Sequence, residues 1–149
     1  MTYNLVDTIK QFFSGDVTSD AEARAFYSHD ASLFELKPEV VVYPKTVDDV
    51  SKLVQFVNQY KTDQPGLSLT ARSAGTDMSG GAINDSIVVA FERYFTKMSE
   101  VHGHHVTAQP GVYYRDFEPK TLKHDLLMPS YPASRELCMI GGMVANNAG

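Results

Sequence analysis

Residues 72–81 have the composition of a loop that binds a phosphate group. They read R-S-A-G-T-D-M-S-G-G and follow an alternating apolar run that is typical of a strand. The small residues leave successive backbone N–H groups open to an anion, and the hydroxyl side chains add further donors. Glycine stands where a Walker A loop requires lysine, and no G-x-G-x-x-G occurs, so an ATPase and a Rossmann dinucleotide site are disfavoured. The segment predicts a diphosphate-binding loop of another kind, unless it is only a structural turn.

A second glycine-rich segment lies close to the end of the sequence. It reads I-G-G-M-V-A-N-N-A-G over residues 140–149, and P-S-Y-P-A-S precedes it at residues 129–134. Small residues let a backbone approach a flat or extended ligand closely. We therefore expect the two glycine-rich segments to form two walls of one extended ligand site.

The composition is that of one acidic domain. The chain has 149 residues, 43% of them hydrophobic, and its net charge of −5 disfavours a nucleic-acid or anionic-membrane partner. The single cysteine, Cys138, cannot form an internal disulfide or a cysteine-rich zinc site, and we expect it to be a packed residue. The sequence has neither a secretory-type start nor an apolar run near the ~20 residues of a membrane span, so a cytoplasmic protein is expected.

Hydrophobic patterns predict a small α/β unit around the first glycine-rich loop. Continuous apolar runs predict strands at residues 40–43 and 87–91, and alternation predicts a strand at residues 67–71. Thr46 is the expected N-cap of a helix that runs to about Tyr60. The strand, helix, strand order implies a parallel strand pair with a right-handed crossover.

The flanking regions are predicted to hold two helices before this unit, and a strand and a helix after it. An apolar stripe over residues 5–13 predicts the first helix, and a capping box at residues 19–22 predicts the second. After the unit we expect a strand at residues 106–109, a helix over 113–124 that breaks or restarts at Pro119, and an irregular tail from residue 128.

The motifs occur in an order that resembles one known family. They are P-E-V-V-V-Y-P at residues 38–44, the helix start at 46–50, the loop at 72–81, Q-P-G-V at 109–112, and the segments at 129–134 and 140–149. Over residues 16–149 the chain resembles the FAD-binding domain of FAD-linked oxidases of the vanillyl-alcohol oxidase and p-cresol methylhydroxylase type. Within that family it is most similar to the D-lactate and glycolate dehydrogenase branch.

The resemblance implies an α+β fold in which FAD extends between two lobes. A small α/β lobe with parallel strands would be followed by the start of an antiparallel α+β lobe, here truncated. The divisions that it implies are a helical lead-in over residues 1–30, a first lobe over 31–101 with its pyrophosphate loop at 72–81, and an incomplete second lobe over 102–149.

The resemblance also implies which residues bind FAD. The first glycine-rich loop would wrap the pyrophosphate through Ser73, Ala74, Gly75, Thr76, Asp77, Met78, Ser79 and Gly80. The later segments would lie along the ribityl chain and the isoalloxazine ring through Pro129, Ser134, Ile140, Gly141, Gly142, Ala145 and Asn146.

Three residues depart from the family's pattern. Thr76 stands where some members tether the flavin to a histidine, so non-covalent FAD is expected. Asp77 stands where a neutral residue is usual, and we expect its carboxylate to face outward or to cap the loop's own amides. Met139 stands where threonine is common, which removes a hydroxyl contact to the flavin.

As a function, the resemblance implies the FAD-binding portion of a flavin-dependent oxidoreductase that oxidises a small 2-hydroxy acid by hydride transfer to flavin N5. The family's catalytic residues lie beyond residue 149, so the chain alone is not expected to be competent. Incomplete second-lobe strands would expose apolar surface and favour self-association. No metal is expected, because His102, His104 and His105 lie in a polar connector without other ligands fixed nearby.

Two other functions stay open. The chain could be a non-catalytic binding or assembly module that keeps the fold, or it could be one half of a split flavoprotein.

Overall fold

The computed structural model describes residues 4–148, which form one four-stranded sheet with five helices around it. The strand order is β1-β2-β4-β3. The strands are β1 (Asp16–Thr18), β2 (Val40–Tyr43), β3 (Leu69–Arg72) and β4 (Ile87–Ala90). The helices are α1 (Leu5–Lys10), α2 (Ala21–Phe26), α3 (Val47–Tyr60), α4 (Tyr114–Leu122) and α5 (Ile140–Ala145).

The centre of the sheet consists of β2 and β4, and both strands are buried along their whole length. They pair in parallel, and β3 pairs in parallel with the other edge of β4. The three predicted strands are therefore confirmed. The prediction that β2 and β3 form a pair is wrong, because β4 lies between them. Because β4 is strongly apolar, its side chains are all buried only at a central position, where neighbours cover both of its edges and both of its faces.

The lead-in adds a strand that the sequence did not reveal. The three residues of β1 pair antiparallel with β2, with Asp16 opposite Tyr43. A run of three residues, two of them polar, is too short to show a period of two. The lead-in therefore contributes to the sheet as well as supplying helices.

The two predicted helix starts have different outcomes. Thr46 is the N-cap of α3, and its hydroxyl accepts a hydrogen bond from the Asp49 N–H in a complete capping box. The capping box predicted at residues 19–22 is wrong: Asp20 is the N-cap of α2, and its side chain makes no capping hydrogen bond. Its carboxylate instead accepts the Thr18 hydroxyl at 2.6 Å, which holds the turn between β1 and α2.

Apolar side chains cover both faces of the sheet. One face carries Val40, Val42, Ile87 and Val89, and it packs against α1 and α3 through residues such as Ile9 and Leu53. The opposite face carries Val41 and Val88 and packs against Tyr27, at the end of α2. A separate cluster, which includes Tyr114, Phe117, Cys138 and Met143, is the core of the region after β4.

The region after β4 differs most from its prediction. The strand predicted at residues 106–109 is wrong, since only an isolated antiparallel bridge between Met98 and Ala108 is formed there. The helix predicted over residues 113–124 is confirmed as α4, but the break or restart predicted at Pro119 is wrong, because α4 runs unbroken through that residue. The tail is not irregular throughout, because residues 140–145 form α5. Two glycines in its first turn conceal this helix from a propensity argument.

Candidate functional site

The first glycine-rich loop leaves the carboxyl end of β3 and presents free backbone donors. Gly75 has φ of +70°, a left-handed conformation that favours glycine. Within residues 4–148, no acceptor is found for the backbone N–H groups of Ala74, Gly75 and Thr76. Consecutive N–H groups around a left-handed residue form a concave anion site. The first half of the loop is therefore open to an anionic ligand.

Arg72, the last residue of β3, lies directly beneath this part of the loop. Its side chain is buried, and Nη1 donates a hydrogen bond to the Ala82 carbonyl at 3.2 Å. Any side chain at Gly75 would collide with the guanidinium, so glycine is needed there for space as well as for conformation. Burial lowers the pKa of Arg72, while the nearby Tyr27, Asp30 and Glu92 act in the opposite direction. The guanidinium stays charged, because the ordinary pKa of arginine is far above neutrality.

The second half of the loop is occupied by the chain's own carboxylate. Asp77 Oδ2 accepts hydrogen bonds from the Ser79 hydroxyl at 2.6 Å, from the Ser79 N–H at 3.2 Å and from the Gly81 N–H at 2.9 Å. These bonds, the Ser79 hydroxyl bond first, lower the pKa of Asp77 below its ordinary value. The expectation that Asp77 caps the loop's own amides is confirmed. The Asp77 carboxylate thus occupies the N–H groups of Ser79 and Gly81, while those of residues 74–76 stay free for a ligand.

Replacing Asp77 with alanine should loosen the second half of the loop. The N–H groups of Ser79 and Gly81 lose their acceptor, and we expect their amide hydrogen exchange to accelerate by about tenfold, which corresponds to the loss of about 1.4 kcal/mol of protection. Asp77→Asn keeps an acceptor oxygen and should show a smaller change. Amide exchange followed by NMR measures both variants, and an unchanged rate at Ser79 and Gly81 in the alanine variant would contradict this role.

Residues 109–112, here called the strap, bring the second glycine-rich segment to the loop. Gly111 donates its N–H to the Phe95 carbonyl at 2.8 Å, which fixes the strap beside the end of β4. Gly141 then donates its N–H to the Pro110 carbonyl at 2.9 Å. At Gly142, an added Cβ would stand 3.4 Å from Ser73 Cβ. The strap thus places α5 directly across from the start of the loop.

Two adjoining clefts lie between these walls. The first has a volume of about 170 Å³, and the second, on the side of residues 132–134, has a volume of about 380 Å³. They share Thr76, Asp77, Gly142 and Asn146. Pockets for small-molecule ligands and cofactors typically measure 300–1,000 Å³. The first cleft alone is therefore too small for a dinucleotide, whereas the two in continuity suit an extended ligand.

Most of the predicted site residues line one of the clefts. The first cleft brings together Ser73, Ala74, Gly75, Thr76, Asp77, Gly141, Gly142, Ala145 and Asn146. The second adds Met78 and Ser134. Ser79, Gly80, Pro129 and Ile140 line neither cleft. Ser79 is turned toward Asp77, and Ile140 packs against the core around Tyr114.

Sequence reasoning missed several residues that line the first cleft. They include Arg72, Phe91 and Pro110. Met139 lines the same cleft, and the family resemblance places it beside the flavin. Arg72 opens the loop motif, and Pro110 lies in the Q-P-G-V motif, so both carried a signal. Phe91 carried no signal of a ligand site, because in the sequence it is the last residue of a predicted apolar strand.

Other chemistry-bearing residues lie apart from the clefts or are buried. His102 and His105 face each other across an exposed tight turn, and the described residues contain no group of three or more potential metal ligands. Cys138 is buried, and burial raises the pKa of its thiol, so it is a packed residue, as predicted. Among residues 4–148, no helix has the length and apolar character needed to cross a membrane.

An open anion-binding loop at the carboxyl end of a parallel strand, facing a second glycine-rich wall, defines a domain that binds a nucleotide-type cofactor. The model of the family described as FAD binding domain matches residues 38–149. This match covers more than half of the chain, and the chain therefore belongs to this family. The predicted resemblance is confirmed.

Two curated relatives are enzymes much longer than this chain. D-2-hydroxyglutarate dehydrogenase of Haemophilus influenzae is 27% identical over 140 residues, which cover 93% of this chain and 13% of the relative. The glycolate oxidase subunit GlcD of Escherichia coli is 27% identical over 135 residues, which cover 88% of this chain and 26% of the subunit. The chain thus spans less than a third of the length of either relative.

Solved structures share the fold. Alkyldihydroxyacetonephosphate synthase matches with a TM-score of 0.78 at 21% identity, over 97% of this chain and 29% of the synthase. Cholesterol oxidase from B. sterolicum matches with a TM-score of 0.69 at 19% identity, over 90% of this chain and 24% of the oxidase. The predicted α+β FAD-binding fold is confirmed.

The family match supports FAD as the cofactor, and the residues present fit it. The free N–H groups of residues 74–76 suit the oxygens of a pyrophosphate. The glycines of α5 leave its backbone close to the same cleft. A dinucleotide that spans both clefts would meet small side chains on both walls.

Proposed function

We propose that this chain binds FAD non-covalently between its two glycine-rich segments and is the cofactor-binding portion of a flavin-dependent oxidoreductase. One observation carries the proposal: the loop after β3 and the helix α5, far apart in sequence, line one cleft. The substrate is proposed to be a small 2-hydroxy acid. The names of the two relatives, which refer to 2-hydroxyglutarate and glycolate, support this substrate class.

The two glycine-rich segments are proposed to bind different parts of FAD, as the sequence predicts. The N–H groups of Ala74, Gly75 and Thr76 would hold the pyrophosphate, with Ser73 and the Thr76 hydroxyl beside them. The ribityl chain and the ring would lie toward α5 and residues 132–134. We propose the same FAD-binding residues as the sequence did: Ser73, Ala74, Gly75, Thr76, Asp77, Met78, Ser79, Gly80, Pro129, Ser134, Ile140, Gly141, Gly142, Ala145 and Asn146.

The chain's own contribution to the reaction would be binding and orientation. Bound FAD would supply the hydride acceptor, flavin N5. The loop would fix one end of the cofactor by its pyrophosphate, and α5 would set the position of the other end. The buried Met139 would help to keep water from the first cleft, which it lines. No residue of this chain is proposed as an acid or base toward substrate, and we propose that the chain alone does not oxidise one.

Further features of the expected protein stay proposals. The divisions at residues 1–30, 31–101 and 102–149 are proposed in outline only. The buried residues of the third core cluster lie within 102–149, but lead-in residues pack into both clusters of the sheet, and β1 joins the sheet. Self-association is supported by exposed apolar side chains, among them Leu33, Phe34 and Met78. A cytoplasmic location is supported by the single cysteine. A non-catalytic module or one half of a split flavoprotein would use the same FAD site.

The experiment that tests the proposal is a titration of the purified chain with FAD, followed by flavin fluorescence. Saturable binding that Gly75→Val weakens by at least about tenfold would support it, because that side chain collides with Arg72. Gly103→Val is the matched control, since Gly103 also has a positive φ but no neighbour within 4 Å of an added Cβ. A folded chain that binds no FAD would overturn the proposal.

The bound flavin should leave the protein on denaturation. Thr76 has no nucleophilic nitrogen to bond to the flavin, and it stands at the position of the tethering histidine. The mass spectrum of acid-denatured, flavin-loaded protein should therefore show the polypeptide mass alone, with all of the flavin in the supernatant. A polypeptide that retains the flavin mass would contradict the non-covalent attachment.

A further inference from the structure

The structure leaves three buried polar side-chain atoms without a hydrogen-bond partner in the part of the chain that it describes, and the three side chains lie near one another. They are Arg72 Nε, Asp30 Oδ2 and Glu92 Oε2. Asp30 and Glu92 are both among the charges that act on the Arg72 guanidinium. Buried polar groups are nearly always paired, so such a concentration at one place calls for a functional explanation.

These groups come from three separate parts of the chain and meet under the loop. Arg72 ends β3, Glu92 follows β4, and Asp30 lies after α2. The Tyr27 hydroxyl donates a hydrogen bond to Glu92, and the Tyr27 ring lies 5.6 Å from the Arg72 guanidinium carbon. The segment that carries Asp30 is also attached to the loop, since the Ala31 N–H donates to the Asp77 carbonyl at 3.0 Å.

We propose that Arg72 is a positioning residue that holds residues 73–76 in the form that binds a diphosphate and offsets the two carboxylates beneath them. The inference rests on the proposed function only in that the diphosphate would be that of FAD. Its first basis is geometry. By its bond to the Ala82 carbonyl, Arg72 links the two ends of the loop, and its guanidinium fills the space that Gly75 leaves.

The second basis is charge. Arg72, Asp30 and Glu92 together carry one positive and two negative charges when all are ionised. In a partly buried setting, interactions between charges a few ångströms apart are several times stronger than in water. Without Arg72, two uncompensated carboxylates would lie under a loop that has to bind an anion. Removing Arg72 should therefore lower the affinity for ligands that carry a diphosphate and leave the affinity for neutral ligands nearly unchanged.

The test compares charged and neutral ligand pairs on the same chain: ADP with adenosine, and FAD with riboflavin. Arg72→Met should lower the affinity for ADP and for FAD by at least about tenfold, and it should change the affinity for adenosine and for riboflavin by less than about threefold. Arg72→Lys, which restores the charge, and Arg72→Met combined with Glu92→Gln, which removes one carboxylate, should each recover part of the loss. Arg93→Met is the control, because Arg93 is partly exposed and pairs with Asp16 away from the loop.

Each outcome decides between the alternatives. A selective loss of ADP and FAD with recovery in the lysine variant supports the role. Equal losses for ADP and adenosine, unchanged ADP affinity, or a lysine variant no better than methionine would overturn it, and the double variant guards against a simple failure to fold. If the wild-type chain binds ADP but not FAD, the proposed function fails while the ADP comparison still decides the role of Arg72. If it binds neither ligand, both proposals fail.

Discussion

Replacing Gly141 with valine is expected to weaken FAD binding by about tenfold to a hundredfold. An added Cβ at Gly141 would stand 2.6 Å from Pro110 Cβ and 2.9 Å from the Pro110 carbonyl oxygen. Neither the proline ring nor the backbone can yield, so α5 has to move away from the strap and from the loop. Overpacking of this kind costs about 1–3 kcal/mol, and each 1.4 kcal/mol lost from binding is about tenfold in affinity.

The matched control for this variant is Gly66→Val. Nothing lies within 4 Å of an added Cβ at Gly66, which is exposed in the turn before β3. Its FAD affinity should stay within about threefold of the wild-type value. Flavin fluorescence titration measures both variants, with circular dichroism to establish that they are folded. Wild-type affinity in Gly141→Val would show that the position of α5 does not govern binding.

Replacing Asp49 with alanine is expected to lower the free energy of unfolding by about 3 kcal/mol. This carboxylate is buried and accepts the Ser14 N–H at 2.7 Å, the Lys45 N–H at 3.0 Å and the Thr46 N–H at 2.9 Å. It therefore joins the segment after α1 to the start of α3. Its removal leaves several backbone donors without an acceptor at one place, which is more costly than the loss of a single surface bond.

Asp48 provides the control, because it is the adjacent residue in the same first turn of α3. Its side chain is 69% exposed and makes only an ion pair with Lys52, one turn later. Such exposed pairs contribute little to stability, because solvent screens the charges and two flexible side chains have to be ordered. Urea denaturation should show a much smaller shift for Asp48→Ala than for Asp49→Ala. Equal shifts would mean that the hydrogen bonds of Asp49 do not matter to stability.

The contribution of Asp49 should also depend on pH. Burial tends to raise its pKa, but hydrogen bonds from Ser14, Thr46 and Lys45 outweigh burial and hold the pKa below its ordinary value of 3.8. A group with a lowered pKa in the folded state stabilises the fold above its unfolded pKa and loses that effect as pH falls. The difference between wild type and Asp49→Asn should therefore be full at neutral pH and shrink below about pH 4. A difference that grows in acid would contradict this assignment.

The elements that the sequence predicts well are those whose signals are local. Val40–Tyr43 is an unbroken apolar run, and the Thr46 capping box lies within four residues of chain. By contrast, β1 forms because β2 offers it an edge, and α5 forms because the carbonyls of Pro110 and Val112 accept its first N–H groups. Those partners are remote in sequence. The sequence immediately around β1 or α5 therefore does not include the residues that stabilise it.

In the candidate site, too, the features with local signals are predicted and those that depend on remote residues are not. Small residues in two segments are visible in the sequence and indicate a ligand site, and most of them do line the clefts. The cluster of Arg72, Asp30 and Glu92 is not visible in this way. Arg72 opens the loop motif, but nothing in the sequence links it to the two carboxylates until the fold brings the three together. The sequence predicts that Asp77 can cap amides of its own loop, but which amides it caps, those of Ser79 and Gly81, depends on the folded shape of the loop.

The most direct measurement of the central claim is amide hydrogen exchange of this chain with and without FAD. If both glycine-rich segments hold the cofactor, FAD should protect residues 73–76 and residues 141–146 together, while α3, which lines neither cleft, keeps its exchange rates. Protection of one segment without the other would contradict a site formed between two walls. No protection at either segment, in a chain saturated with FAD, would place the cofactor elsewhere.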